Sequence, residues 1–199
     1  MDLKYYSVGF GNTHNSYGLS RQNDILQSFD FIDNHRCYGN TPTNFSNFCD
    51  SCYALVKLPD SLDTSSCTNF NNFCSGCRAL AKLPDSIVTS SGTSFNNFCG
   101  SCLSLTKLPD NLDTSKGTNF SSFCNNCTSL TKLPDSLDTS SGTNFSRFCA
   151  GCTSLTKLPD NLVISSCIDF SWFCSNCNAL TKLADSLDTS SGKNFFNFC

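Results

Sequence analysis

Residues Thr118–Gly142 read TNFSSFCNNCTSLTKLPDSLDTSSG, and this 25-residue pattern recurs without insertion or deletion over residues 43–199. Six copies are complete and a seventh is partial. The run SLTKLPD is unchanged at Ser104–Asp110, Ser129–Asp135 and Ser154–Asp160. A strict period of this length is typical of repeat solenoids, in which each copy forms one coil and shares its apolar core with its neighbours. The sequence therefore predicts a one-dimensional stack.

Residues 1–42 lie outside the period and contain both histidines of the chain, His14 and His35. They are predicted to form a non-repeat N-terminal cap or assembly segment. The repeat region, 43–199, is predicted to form a single body, because one copy alone buries too little apolar surface to offset the entropy of ordering its backbone.

The first half of each copy has the spacing of a short helix. Phe45, Phe48, Cys49 and Cys52 lie at i, i+3, i+4 and i+7, which places them on one apolar stripe. Asn44 precedes the stripe, and asparagine is a favoured helix N-cap residue. The same pattern predicts core positions in the fourth copy at Phe120, Phe123, Cys124 and Cys127.

The second half of each copy contributes leucines. Leu55, Leu58 and Leu62 are predicted core residues, and Pro59 interrupts the run. We expect a short strand near residues 55–58 and an exposed turn at the Asp-Thr-Ser-Ser-Gly segment. Together these elements predict an α/β repeat solenoid, with one short strand and one short helix in each 25-residue coil.

The motif Phe-Cys-x-x-Cys-x-x-Leu-x-x-Leu-Pro-x-x-Leu-Asp-Thr-Ser resembles the BspA-type leucine-rich repeats of bacterial and protist surface proteins, especially the lipoprotein-type subgroup. The resemblance covers residues 43–199 and implies a leucine-rich-repeat-like stack, a surface or adhesin role and export to the cell surface or beyond. It also implies that the second cysteine of each pair is structural. The first cysteine departs from that pattern, in which a large apolar residue is commoner.

Sixteen cysteines leave three chemical states open. Because the Cys-x-x-Cys pairs share an apolar face with phenylalanines, they favour free buried thiols that act as small apolar groups. Disulfides within pairs or between coils and zinc bound by paired thiolates are the alternatives. A zinc site at the cap junction would use His35, Cys37, Cys49 and Cys52. No metal or cofactor is predicted.

Two rows of opposite charge run along the stack. Because the rows are three residues apart in each copy, we expect an exposed ion-pair ladder, or a charged stripe that meets a repetitive partner. Calcium at the aspartate row is a weaker alternative, since convergent oxygen ligands are not evident. The rows are Lys57, Lys82, Lys107, Lys132, Lys157 and Lys182, and Asp60, Asp85, Asp110, Asp135, Asp160 and Asp185.

Composition argues against several function classes. The net charge is −3 and glutamate is absent, so no basic field for nucleic acid is expected. No apolar run is long enough to span a membrane, and the N-terminal segment lacks the pattern of a secretory signal. No phosphate loop or nucleophile motif is evident, so an enzyme is not predicted.

Two functions remain. The pattern stops inside a copy at Cys199, which favours head-to-tail stacking of molecules into a surface or extracellular filament. Alternatively, the chain is an adhesin or protein-interaction module that binds through the variable position after each second cysteine. Candidate interface residues are Trp172, Phe196 and Cys199 near the end of the chain, and Tyr53, Arg78 and Leu103 in the variable row.

Overall fold

The computed structural model describes residues 43–60, 62–185 and 187–199, which form a stack of parallel coils. The predicted cap, residues 1–42, lies outside the described residues. We number the coils 1 to 7 from their first residues, 43, 68, 93, 118, 143, 168 and 193. Each coil pairs with the next through single-residue parallel bridges, namely Asn44–Asn69, Asn69–Ser94, Ser94–Asn119, Asn119–Asn144, Asn144–Asp169 and Asp169–Asn194 on one side, and Lys82–Lys107 and Lys107–Lys132 on another.

The predicted short helix is absent from the described residues, and two consecutive β-turns replace it. The Phe48 N–H donates to the Phe45 carbonyl at 3.2 Å, and the Cys52 N–H donates to the Cys49 carbonyl at 3.1 Å. The third residues of these turns, Asn47 and Ser51, have φ values of 57° and 61°. Positive φ at the third residue is the signature of a type II turn.

The hydrogen bonds of the backbone explain why turns replace the helix. The Cys49 N–H, which an α-helix would bond to Phe45, instead donates to the Phe73 carbonyl of the next coil at 2.9 Å. Asn47 and Ser51 likewise donate to Asn71 and Ser75 of coil 2 at 2.8 and 2.6 Å. The second turn begins four residues after the first. A double turn therefore places apolar residues at the same spacing as a helix does, and the apolar stripe alone does not distinguish a double turn from a helix.

The residue before the first phenylalanine caps a turn instead of a helix. The Asn44 side-chain oxygen accepts the Ser46 N–H at 2.9 Å, and Asn144 accepts the Ser146 N–H at 3.0 Å. This local contact is an Asx-turn. The predicted strand is also smaller than expected, because the described residues 55–58 form no extended strand and the Val56 carbonyl accepts the Ala81 N–H of coil 2 at 3.5 Å.

The interior consists of columns of identical side chains. Phe73, Phe98 and Phe123 stack with ring centroids 5.4 Å apart, and the other phenylalanine column packs edge-on against them. The core positions are buried at Phe45, Phe48, Cys49, Cys52, Leu55, Leu58, Phe120, Phe123, Cys124 and Cys127, whereas Leu62 is partly buried against the same core.

Buried threonines bond each coil to the next. Thr114 is 1% exposed and its hydroxyl donates to the Asp138 carbonyl at 2.5 Å. Thr64 and Thr89 make the equivalent bonds to Val88 and Asp113 at 2.7 and 2.6 Å. In coil 5, Ile164 is buried at the same position. This threonine column therefore satisfies backbone carbonyls between coils.

Candidate binding surfaces

The cysteines lie inside the stack with free thiols. All fifteen cysteines among the described residues are free, and Cys199 is the exposed one. The Cys49 thiol donates to the Phe73 carbonyl at 3.2 Å, and the Cys77 thiol donates to the Cys49 carbonyl at 3.0 Å. Within the described part of the chain, no three side chains are grouped to hold a metal ion. His35 and Cys37 of the zinc hypothesis lie outside the described residues.

Burial raises the pKa of several of these thiols, including those of Cys49, Cys67 and Cys102. Desolvation raises the pKa of Cys102 and of Cys67 to about 11, and it holds the pKa of Cys49 well above its usual range. Because the thiolate is the nucleophile, these groups are poor nucleophiles near neutral pH. The Cys199 sulfur lies 3.2 Å from the Cys174 sulfur.

The charge rows lie on the surface and pair within coils. Lys107, Lys157 and Lys182 lie 4.0, 3.9 and 3.4 Å from Asp110, Asp160 and Asp185, respectively. Exposed pairs of this kind contribute at most about 1 kcal/mol each. Both rows, Lys57 to Lys182 and Asp60 to Asp185, are exposed to solvent along the stack.

Residues of the variable row and Val56 form an exposed surface patch on coils 1 to 3. Tyr53, Val56 and Leu103 are 46%, 47% and 37% exposed. The Arg78 Cζ atom lies 4.9 Å from the centroid of the Tyr53 ring, a cation–π contact. The Arg78 carbonyl accepts the Ser104 N–H at 3.1 Å, so Leu103 follows Arg78 in the next coil. We call Tyr53, Val56, Arg78 and Leu103 the aromatic patch.

A second surface surrounds Trp172 on the side of the stack formed by the double turns. The Arg147 Cζ atom lies 5.6 Å from the centroid of the Trp172 ring, and the Phe196 ring meets that ring edge-on at 5.7 Å. Phe196 is 64% exposed. A hollow of about 230 Å³ lies beside them. We call it the Trp172 cleft, and its lining includes Asn125, Asn126, Arg147, Gly151, Trp172 and Asn176.

The structure thus joins Tyr53 to Arg78 and Trp172 to Phe196, while the two groups lie on different coils. Val56 and Arg147 were not among the residues predicted for an interface. The sequence does distinguish Val56 from the repeat pattern, because later copies have threonine at its position, as at Thr106. The sequence also distinguishes Arg147, because earlier copies such as the first three have asparagine at its position, in a turn that requires positive φ.

No known protein-family model matches the sequence, and no curated protein is significantly similar to it. No helix long and apolar enough to cross a membrane occurs over residues 43–60, 62–185 and 187–199.

Similar solved structures include two leucine-rich repeat proteins. The T. pallidum protein TpLRR is 19% identical, with a TM-score of 0.48 over 87% of this chain and 71% of that chain. A Bacteroides ovatus protein is 16% identical, with a TM-score of 0.27 over 77% of this chain and 58% of that chain. Both TM-scores are low, so the assignment of the fold depends on this chain's own coils, bridges and shared core. These features identify the chain as a repeat solenoid of stacked parallel coils.

Proposed function

We propose that this chain is a non-catalytic interaction scaffold that binds a protein partner through the aromatic patch. The observation that carries the proposal is the exposure of Tyr53 and Val56 on coil 1 and of Leu103 on coil 3, with Arg78 of coil 2 between them. Contiguous apolar side chains at a surface mark interaction sites more often than scattered ones do. Chemistry at the thiols is disfavoured, because burial raises the pKa of groups such as Cys102 to about 11.

The composition of the patch also fits a protein partner. Tyrosine and arginine are enriched among residues that dominate binding energy at interfaces. The contact of Arg78 with Tyr53 holds both side chains in place, which reduces the entropy lost on binding. In coils 4 and 5 the same row carries Thr128 and Thr153, so the apolar character is confined to one end of the described stack.

A cell-surface or extracellular location belongs to the same proposal. Its support is the resemblance of the repeat motif to BspA-type repeats of surface proteins. Protease treatment of intact cells that express the chain tests it. Loss of the chain without lysis is the expected result, and complete protection would place it elsewhere.

Peptide selection tests the aromatic patch. Peptides selected from a random display library on the wild-type chain are measured against the triple variant Tyr53→Thr, Val56→Thr, Leu103→Thr. Threonine already occupies these row positions in later coils, so the variant keeps the fold. We expect at least about tenfold weaker binding, since hot-spot truncations cost about 2 kcal/mol or more.

The matched control is the double variant Thr128→Ala, Thr153→Ala, which alters the same row outside the patch. Its affinity should equal that of the wild type. Equal binding of the peptides to the triple variant and the wild type would contradict the proposal.

Head-to-tail self-assembly is a second candidate. It is favoured by the sameness of contacts between coils, such as the stacking of Phe98 on Phe123 and of Phe123 on Phe148 at 5.4 and 5.5 Å. A coil of another copy would offer the same rings and backbone partners. A contact that does not close produces linear polymers.

Sedimentation over a wide concentration range and negative-stain electron microscopy separate the two functions. Linear polymers that lengthen with concentration would support self-assembly. A single monomeric species at every concentration would exclude it and leave the interaction scaffold.

A further inference from the structure

The third residue of the first turn places one side chain per coil in a row along the surface. In coils 1 to 3 these side chains are asparagines that hydrogen-bond to one another. The Asn72 side-chain amide donates to the Asn47 oxygen at 3.0 Å, and the Asn97 amide donates to the Asn72 oxygen at 2.8 Å. All three residues have positive φ, a conformation that asparagine tolerates. We call Asn47, Asn72 and Asn97 the asparagine ladder.

The ladder gives way to bulky residues at the Trp172 cleft. Arg147 and Trp172 occupy the same row in coils 5 and 6, with φ values of 58° and 59°. A left-handed conformation costs about 1 to 2 kcal/mol for most L-residues. The type II turn imposes this conformation in the other coils as well, as at Ser122 with a φ of 57°, so Arg147 and Trp172 carry a cost that asparagine largely avoids.

The polar groups of the cleft have capacity to bind a ligand. Among the described residues, the Arg147 guanidinium contacts the Trp172 ring but forms no hydrogen bond or ion pair. In the same part of the structure, the Asn176 side-chain amide has no hydrogen-bond partner. No carboxylate is part of the described lining, so the cleft is locally cationic in a chain whose net charge is −3.

The shape of the cleft limits the size of the ligand. Its volume of about 230 Å³ suits a single ring-sized group. The Asn126 side chain packs directly on Gly151, where a Cβ atom would lie 2.2 Å from the Asn126 side-chain oxygen, and Gly151 has a φ of 74°. The Trp172 ring, the Arg147 guanidinium that contacts it and several side-chain amides therefore surround one small hollow.

We propose that the Trp172 cleft binds a carboxylated sugar unit of an acidic glycan. The apolar C–H face of the sugar ring packs against the exposed part of Trp172. Arg147 donates two hydrogen bonds to the sugar carboxylate, the geometry that a guanidinium fork favours. Asn176 exchanges hydrogen bonds with ring hydroxyls, using both the donor and the acceptor of its amide. This site is separate from the aromatic patch and does not depend on it.

Affinity electrophoresis of the full chain tests the proposal with defined polysaccharides. The probes are polygalacturonate and hyaluronan, which carry carboxylates, heparin, which is also sulfated, and neutral dextran. We expect binding to at least one of the two carboxylated polymers and no retardation by dextran. Absence of binding to both, or equal binding to dextran, would overturn the proposal, as would binding to heparin alone.

Two variants restore the residue of the asparagine ladder and are therefore expected to fold. Trp172→Asn and Arg147→Asn should each weaken binding at least about tenfold, while circular dichroism and thermal midpoints match or exceed those of the wild type. Lys157→Asn is the matched control, because it removes an exposed cation of coil 5 outside the cleft.

The control separates specific binding from general charge attraction. Unchanged affinity of Lys157→Asn supports the site. Equal weakening by Lys157→Asn and Arg147→Asn would overturn it, as would wild-type affinity in Trp172→Asn. None of these results bears on peptide binding at the aromatic patch.

Discussion

At the scale of single residues, the last residue of each coil decides whether the first phenylalanines of neighbouring coils stack. Gly92, Gly117, Gly142 and Gly192 occupy this position in four coils, and Cys67 and Cys167 occupy it in the other two. Where it is glycine, rings stack across coils, as Phe95 and Phe120 do at 5.7 Å. Among the described rings, Phe45 and Phe70 form no such pair beside Cys67.

Gly117→Ala tests this packing rule. A Cβ atom at residue 117 would lie 2.5 Å from Phe120 Cζ and 3.0 Å from Phe95 Cδ2, so at least one ring must move. We expect a loss of about 1 to 3 kcal/mol in the free energy of unfolding, the usual cost of overpacking. Urea denaturation measures it. Lys116→Ala, at the exposed neighbouring position, should change stability by less than about 0.5 kcal/mol; an equal loss there would contradict the rule.

The buried thiols make stability depend on alkaline pH. Burial raises the pKa of Cys67 to about 11, whereas an exposed thiol in an unfolded chain has a pKa of about 8.5 to 9. Between these values the unfolded chain loses the proton while the folded chain retains it, so stability falls as pH rises. Each such thiol contributes a slope of up to about 1.4 kcal/mol per pH unit.

Cys67→Gly removes the contribution of one buried thiol to this pH dependence. The variant is expected to fold, because most other coils have glycine at this position. Denaturation at about pH 8 and about pH 10 should show that the variant loses about 1 kcal/mol less than the wild type over this interval. Thr106→Val is the control, because Thr106 is exposed and the substitution removes no titratable group; its pH profile should match that of the wild type. Identical pH profiles of Cys67→Gly and the wild type would show that this thiol ionises equally in both states.

At the scale of elements, each coil is a series of turns joined to its neighbours by backbone and threonine hydrogen bonds. Thr114→Val tests the contribution of the threonine column. It leaves the Asp138 carbonyl without the hydroxyl that donates to it at 2.5 Å. Ile164 shows that an aliphatic residue fits the same position in coil 5. We expect a loss of about 1 to 2 kcal/mol from the missing hydrogen bond.

Thr106→Val is the matched control for Thr114→Val. Thr106 is exposed, and coil 1 has Val56 at the corresponding position. Thermal denaturation of the two variants makes the comparison direct. Equal midpoints would show that the buried hydroxyl adds nothing to the stability of the stack.

The turns also explain how far the sequence predicts this structure. Its period predicts the stack, and the apolar stripe predicts the buried residues, but the stripe is compatible with both a helix and a double turn. The deciding signal is finer: Asn47, Asn72, Gly76 and Gly151 are residue types that accept positive φ, and they recur at the third positions of the turns.

The candidate surfaces are predictable only in part for the same reason. Trp172 and Tyr53 are visible as departures from the repeat. The contact of Arg147 with Trp172 and the closeness of Asn176 to both depend on which rows the turns bring together. A helix would place these side chains in different rows. The cleft can therefore be predicted only after the turns are known.

At the scale of the whole molecule, stability is a sum over coils and the contacts between neighbours. Deletion of residues 118–142 joins Gly117 to Thr143 and keeps every ladder in register. We expect a cooperative fold with a lower thermal midpoint. Small-angle X-ray scattering should show a particle shorter by about 5 Å, the spacing of paired strands.

Deletion of residues 118–137 is the comparison, because it removes less of the chain but shifts the register of all later rows. We expect this variant to lose cooperative unfolding. Similar melting of the two deletions would show that the stack tolerates mismatched coils and that register is unimportant.

The free sulfurs inside the coils have a consequence for biosynthesis. Fourteen of the fifteen described cysteines are buried as thiols that pack as small apolar groups, so the described coils form without a disulfide and their folding requires no oxidoreductase. The vulnerable stage is the nascent chain, whose sulfhydryls remain accessible until neighbouring coils close over them. An oxidant that acts on the nascent chain would form disulfides between arbitrary pairs of cysteines. The same oxidant would not reach the buried thiols after the coils have formed.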